Sequence, residues 1–443
     1  MERKRALCIL LVVTAMLLTG VLAPGLQGMA STHPGTSGLE SISIATGQIG
    51  PEFRISEPTS PEVNRYAPSV AYNSRHREYL VVWHNVWPDG RRDIYARRVS
   101  KSGALLSLFT ISTGLTDRAQ PAVAYDYLND LYLVVWMYNA SGDGSTYDIW
   151  CRTVAWDGSS MGPEKEVISW DNRSFWTPRV AFNGLRRQYL VVWTAMDTLS
   201  WKPTDVALAL LDSGGNRLFG TIISSAYEPH QADVTYNIAT DEYLVVWRRM
   251  WDPADGDIRA ARIHGGNAVV IDPPGAFSID AAVEDSLLPS VTTNQQHRYF
   301  VVWQHAFPGP CCDWDIRGQE LDAQGGLVGD QTHIASSFDD ELAPQVAARP
   351  GPKREYMAVW QRTTASGEAI WAHAWGDAGS TFYGDFASAA FWENESPAVA
   401  AGYSGFLAVY EGDAQGDPTV YRHIYGRRLA PFGLFLPIAV RDQ

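Results

Sequence analysis

The chain has 443 residues, a formal charge of −14 at pH 7 and a sequence pI of about 5.1. An acidic surface of this kind repels phosphate backbones, which excludes nucleic acid as an expected partner. Four cysteines, with Cys8 close to the amino terminus, are too few to build a fold from disulfides, so a core must come from the 46 % of residues that are hydrophobic.

In chain order, the first element is a targeting segment. Glu2, Arg3, Lys4 and Arg5 precede an apolar run from Ala6 to Ala23, and Gly28, Met29 and Ala30 form a small-x-small site before Ser31. This layout predicts a secretory signal peptide over residues 1–30, with an uncleaved membrane anchor as the alternative. Residues 31–51 read as a linker. No second apolar stretch of spanning length follows, so the mature form is expected to have no membrane span and to be extracellular or periplasmic.

From residue 52 to residue 443 the chain repeats itself. The string "EYLVVW" that ends at Trp83 returns in close or looser copies ending at Trp136, Trp193, Trp247, Trp303, Trp360 and Tyr410, at intervals of 50 to 57 residues. Around each copy stand the same four phrases. Pro-x-Val-Ala-Tyr-Asn comes first, at Pro68 to Asn73, and the fourth copy has Ala232 in place of the Pro. The Tyr-Leu-Val-Val-Trp string follows. Third is "DIYARRV" from Asp93, echoed from Asp148, Asp205, Asp257 and Asp315. Last, after a Gly-bearing turn, comes a strand-like run such as "LFTIS" ending at Ser112.

Each phrase is short, rich in Val, Ile, Tyr and Trp, and bounded by Gly, Asn, Asp or Pro, which is β-strand composition. No helical period appears outside the amino-terminal segment. The Tyr-Leu-Val-Val-Trp string lacks apolar–polar alternation, so both its faces must be covered. These features predict an all-β fold: a single seven-bladed β-propeller of four-stranded blades, in which each blade is sandwiched between two others. "EFRIS", Glu52 to Ser56, and "LFLPIAV", Leu434 to Val440, both look like fourth phrases, and one of them must close the ring. At this level the chain resembles a broad class of secreted bacterial propeller proteins built from "VVW … DIYARRV … G" repeats. The resemblance implies an architecture and no particular activity.

Residues that recur in every blade build the blade, so function is expected where the copies disagree. The Asp that opens the third phrase therefore reads as a turn former, and the Arg residues within it as strand-face partners of acids. The residue after the core aromatic does vary: His84, Met137, Thr194, Arg248, Gln304, Gln361 and Glu411. These are expected to form a ring at one end of the strands, beside the loops that lead into the third phrase. Three of those loops place an aromatic four residues after the core Trp, namely Trp87, Trp251 and Phe307, the last preceded by His305. Six of the 17 Trp residues end core strings and 11 lie elsewhere, more than core building needs. The candidate ligand-binding residues are therefore His84, Trp87, Arg248, Trp251, Gln304, His305, Phe307 and Glu411, with rings to stack on sugars and polar groups to hold hydroxyls.

The expected function is that of a binding or interaction module that recognises a glycan or an extracellular or envelope protein. The alternatives are a carbohydrate-active hydrolase or lyase using loop acids such as Asp89, Glu411 and Asp413, and a scaffold with no small ligand. No Gly-x-Ser-x-Gly elbow, His-Glu-x-x-His helix or phosphate-binding Gly loop is present. "FRIS", Phe53 to Ser56, is similar to the Phe-Arg-Ile-Pro segment of sialidases, where the Arg helps bind a carboxylate. Ser56 replaces the Pro, however, no Ser-x-Asp-x-Gly-x-x-Trp box occurs, and there are seven units rather than six. No cofactor is expected. "DPADGD", Asp252 to Asp257, gathers oxygen ligands of the kind Ca²⁺ takes but lacks the spacing of an EF-hand-type loop and reads first as a solvated turn. Adjacent Cys311 and Cys312 could bridge only under strain.

Overall fold

The structure is a computed structural model and describes residues 48–57, 62–141, 146–225, 228–252, 255–272, 277–307, 313–364, 367–384, 394–413 and 421–430. The signal segment, Cys311 and Cys312, and the stretch from Leu434 to Val440 lie outside these residues. The described chain forms seven antiparallel sheets. Blades 1 to 6 are four-stranded and span 64–112, 117–168, 173–224, 230–280, 286–335 and 340–383. Blade 7 combines Asn394–Gly402, Gly405–Gly412 and His423–Ala430 with two short amino-terminal strands, Gln48–Ile49 and Phe53–Arg54. The amino-terminal "EFRIS" therefore serves as the outer strand of blade 7: Phe53 pairs with Gly426, and the pairing extends upstream of residue 52, with Ile49 opposite Leu429.

The first phrase of each repeat is the innermost strand, and the Tyr-Leu-Val-Val-Trp string is the second, covered on both faces. In blade 1, Leu80, Val81 and Val82 are fully buried and Trp83 is 1 % exposed. Period-two alternation sends these side chains to opposite neighbours: Leu80 and Val82 pack with Val134 and Trp136 of blade 2, while Val81 and Trp83 pack with Leu407 and Val409 of blade 7. The core is thus a ring of inter-blade seams.

One device repeats in all seven blades and explains why the Pro and the Trp recur together. Opposite each core aromatic, the inner strand carries two residues against one. Ala67 and Pro68, for example, stand against Trp83 between the pairs Tyr66–His84 and Ser69–Val82. The first residue of each bulge has positive φ: Ala67, Gln120, Thr177, Gln231, Leu288, Ala343 and Ser396 lie between 47° and 57°. This is the bulge class whose first residue adopts the left-handed conformation. Pro suits the second position because it has no N–H to leave unpaired where the ladder is interrupted. The Asn that ends the first phrase caps the following turn, as when Asn73 Oδ1 accepts the amides of Arg75 and His76 at 3.0 and 2.9 Å. Third-phrase arginines pair with acids as expected: Arg98 lies 2.7 Å from Glu78, and Arg262 lies 2.8 Å from Asp272.

Candidate functional site

The seven residues after the core aromatics form a ring, but not an exposed one. Their exposure runs from 1 % for Met137 to 8 % for Arg248 and Gln361, with His84, Gln304 and Glu411 between these limits. Each stands directly beside a bulge, and the side chains of Thr194, Arg248 and Gln304 reach across the seam to the next blade. Thr194 Oγ1 accepts the amide of Gln231 at 3.1 Å, and Gln304 Oε1 accepts the amide of Ala343 at 3.2 Å. Both amides belong to the left-handed residue of the following blade, whose distortion removes them from the ladder. Arg248 reaches forward in the same way, to Asp285 at 2.5 Å, with His230 at 3.2 Å. His84 stacks on Tyr66 with ring centroids 5.8 Å apart. Burial, then the charge of Arg92, pushes its imidazole down to about 3. The ring at these positions is thus buried, and Thr194, Arg248 and Gln304 tie one blade to the next.

His305 is also internal. Its Nδ1 lies 2.8 Å from Ser286 Oγ and 3.3 Å from Asp280 Oδ2, and it is fully buried. Ser286 Oγ donates to Asp280 at 2.7 Å, as does the core indole of Trp303 at 3.0 Å, and Gln331 Nε2 donates to the other carboxylate oxygen at 3.0 Å. Burial raises the Asp280 carboxyl, but hydrogen bonds from His305, Ser286 and Gln331 outweigh it and hold the group well below the usual carboxylate range. The serine proton is thus committed to Asp280, and the trio joins the outer strand of blade 4 to blade 5.

The loop aromatics are placed differently. Trp251 and Phe307, on adjacent blades, are 47 % and 45 % exposed, and Trp87 is half-buried. The two indoles are tethered identically. Trp87 Nε1 donates to Asp93 Oδ2 at 2.7 Å, and Trp251 Nε1 donates to Asp257 Oδ2 at 2.8 Å. An Arg lies over each ring, Arg91 at 5.0 Å and Arg249 at 4.2 Å from the centroid. Third-phrase aspartates therefore do more than form turns: Asp93 takes the Gly114 amide at 3.1 Å and also fixes the orientation of an aromatic ring.

Acids on this face are mostly sunk between strands. Glu411 is 2 % exposed, Asp413 7 %, Asp315 1 % and Glu341 1 %. Burial pushes the Glu341 carboxyl up to about 7, against the hydrogen bond from Ser337 and the charge of Arg362. Asp89 is exposed and binds its own turn, where Arg91 Nε lies 3.2 Å from it. Among the described residues no group of three His, Cys, Asp or Glu side chains could hold a metal ion. In the stretch considered for Ca²⁺, Pro253 and Ala254 lie outside the described residues, and Asp257 is taken by Trp251 and Arg249.

A second concave region went unassigned in the sequence reading. The inner strands of all seven blades line a central cavity of about 1000 Å³. The residue after the bulge Pro, the "x" of Pro-x-Val, lines it and differs from blade to blade: Ser69, Ala122, Arg179, Asp233, Ser290, Gln345 and Ala398. Asp233 and Arg179 are the charged members of this tier. Asp233 Oδ1 accepts the Val234 amide and Oδ2 the Val291 amide of the next blade, both at 2.9 Å. Ser290 Oγ takes the Val346 amide in the same manner at 3.3 Å. The inner edge of the sheet is thus capped across blade boundaries. The signal was in the sequence as blade-to-blade variation, hidden within a phrase that otherwise repeats.

No family model matches the chain, and no curated protein matches it in sequence. Solved structures do match. A protein of unknown function from Dyadobacter fermentans superposes with a TM-score of 0.52 at 9 % identity, covering 87 % of this chain and 100 % of its own. The β-propeller domain of the Trilobed protease from Pyrococcus furiosus gives 0.48 at 10 % identity, covering 82 % and 95 %. A Hadza microbial sialidase gives 0.47 at 9 % identity, covering 66 % and 63 %. At these identities the likeness is one of fold.

Proposed function

We infer that this chain is a secreted propeller that binds a glycan on the face formed by the loops between second and third strands. The observation that carries the reading is Trp251, about half exposed yet held by Asp257 at 2.8 Å and overlaid by Arg249 at 4.2 Å. A ring already fixed in place loses little entropy when a sugar stacks on it, and Phe307 on the next blade adds a second exposed ring. The burial of Glu341, Glu411 and Asp413 favours a binder over a hydrolase, which needs paired carboxylates at the substrate. Secretion rests on the amino-terminal segment.

The test is a glycan-array and polysaccharide pull-down screen on residues 31–443, run beside Trp251→Ala. Selective binding that disappears in a variant with an unchanged unfolding midpoint supports the reading. Binding that survives in the variant, or no binding by folded protein, overturns it and points to a protein partner or a scaffold.

A further inference from the structure

The tier of residues after the bulge Pro carries its charged and long polar side chains on one side and only small ones on the other. Blades 3 to 6 contribute Arg179, Asp233, Ser290 and Gln345, whereas blades 7, 1 and 2 contribute Ala398, Ser69 and Ala122. A structural tier needs no Arg, since five blades close the same wall without a charge. The groups on the polar side are only partly committed. Among the described residues, the Arg179 guanidinium makes one hydrogen bond, from Nη1 to the Pro178 carbonyl at 3.1 Å. Its Nε stands 4.0 Å from Asp233 Oδ1, the outer limit of an ion pair, and its side chain is 38 % exposed. Most of its fork of donors is therefore unused. Gln231 gives its Oε1 to the Leu288 amide at 3.0 Å and keeps Nε2, while Gln345 gives its Nε2 to the Pro344 carbonyl at 2.9 Å and keeps Oε1.

We propose that the central cavity is a second binding site, for a small hydroxylated carboxylate of the sugar-acid class. The carboxylate meets the Arg179 fork, which matches its planar geometry. Asp233, whose oxygens each hold one backbone amide and which also has the Ser290 side chain as a partner, accepts from a ligand hydroxyl, as does Gln345 Oε1. Gln231 Nε2 supplies a donor beside the cation. The C–H face of the ligand lies toward Ala122 and Ala398. A cavity of about 1000 Å³ is at the upper end of the usual range for small-molecule sites and has room for one sugar unit or two. Neutral hydroxyls and amides surround the charged pair, which favours a polyhydroxy acid over a zwitterion that would need Asp233 as its only cation partner.

The site is independent of Trp251, so one set of variants separates it from the loop-face reading. D-Glucuronate, D-galacturonate and D-gluconate are titrated calorimetrically into wild type, Arg179→Met, Asp233→Asn and Trp251→Ala, with glucose, acetate and glycine as controls. Unfolding midpoints are checked for each variant. The expected result is binding of at least one acid, weakened about tenfold or more in Arg179→Met, as loss of a charged hydrogen-bonding partner dictates. Trp251→Ala leaves it unchanged, and Asp233→Asn weakens it less than Arg179→Met does. Absence of binding by all three acids to wild type overturns the proposal. So does equal binding by folded Arg179→Met, or equal affinity for acetate, glycine or glucose.

Discussion

Phe307 occupies in blade 5 the place that Trp87 and Trp251 hold in blades 1 and 4, and Asp315, the third-phrase Asp of that blade, has both carboxylate oxygens buried and, among the described residues, no hydrogen-bond partner for either. In the other two blades the corresponding Asp accepts an indole N–H, at 2.7 and 2.8 Å. A benzene ring has no such donor. Phe307→Trp is therefore expected to stabilise the protein, by about 1 kcal/mol for one restored hydrogen bond to a buried carboxylate. Urea denaturation reads the gain. Trp251→Phe should show the opposite sign, and equal midpoints for both variants and wild type would refute the assignment.

Thr177 is the β-branched member of the seven left-handed bulge residues, at φ 52°, and its buried hydroxyl has no hydrogen-bond partner among the described residues. β-Branched residues tolerate this conformation worst, whereas Asn adopts it readily. Thr177→Asn is expected to raise stability by roughly 1 kcal/mol. Ala67→Asn, where no branch is relieved, should gain less. A destabilised Thr177→Asn variant in thermal melts would show that the bulge is not strained at this position.

Acid should loosen the ring through His84. Its pKa falls from 6.5 in the unfolded chain to about 3 in the fold, so the unfolded state binds the extra proton. The associated stability is complete above the unfolded pKa and is lost as pH drops below 6.5, by about 2 kcal/mol at pH 5. His423, pushed down to about 4 by burial and by Arg65 and Arg54, acts in the same direction. Denaturation midpoints at pH 7.5 and pH 5 should lie closer together in His84→Gln than in wild type. Parallel losses in the two proteins would mean that His84 is not the titrating group.

Ile55, fully buried at the seam of blades 7 and 1, anchors the amino-terminal strand against Ile424. Truncation to Ala is expected to cost about 2–4 kcal/mol, as for other large-to-small core changes. Because Ile55 belongs to the ring closure, hydrogen exchange should also quicken in 423–430 before it quickens in blades 3 and 4. Uniform acceleration around the ring would contradict a local closure.

Blade number and the buried string were readable because identical strands recur at nearly fixed spacing and one of them lacks alternation. The burial of the residues after the core aromatics was not readable, for a physical reason. Variation marks positions free of one shared residue type, and Thr194, Arg248 and Gln304 each join blades with different chemistry. Sequence variety there reflects the neighbour each side chain meets. Nor could spacing reveal that Ala67 or Leu288 is left-handed, since neither is a residue that favours that conformation. The tethers of Trp87 and Trp251 were in plain view as a recurring aromatic and a recurring Asp. Linking them required knowing that a hairpin folds one strand onto the other.

The closure of blade 7 has a consequence for the timing of assembly. Phe53 must find Gly426 almost at the other end of the chain, whereas every other blade pairs strands that are close in sequence. Closing that much larger loop costs about 2 kcal/mol more in chain entropy than closing one repeat, and the last strand is also the last to be synthesised. Six blades can pair locally as they emerge, but the circle stays open until the carboxy-terminal blade arrives, with Gln48–Ile49 and Phe53–Arg54 lacking their partner strand in the meantime. A chain interrupted late in synthesis would thus hold most of its blades and still lack a closed ring, and those unpaired strands are where it would meet other chains.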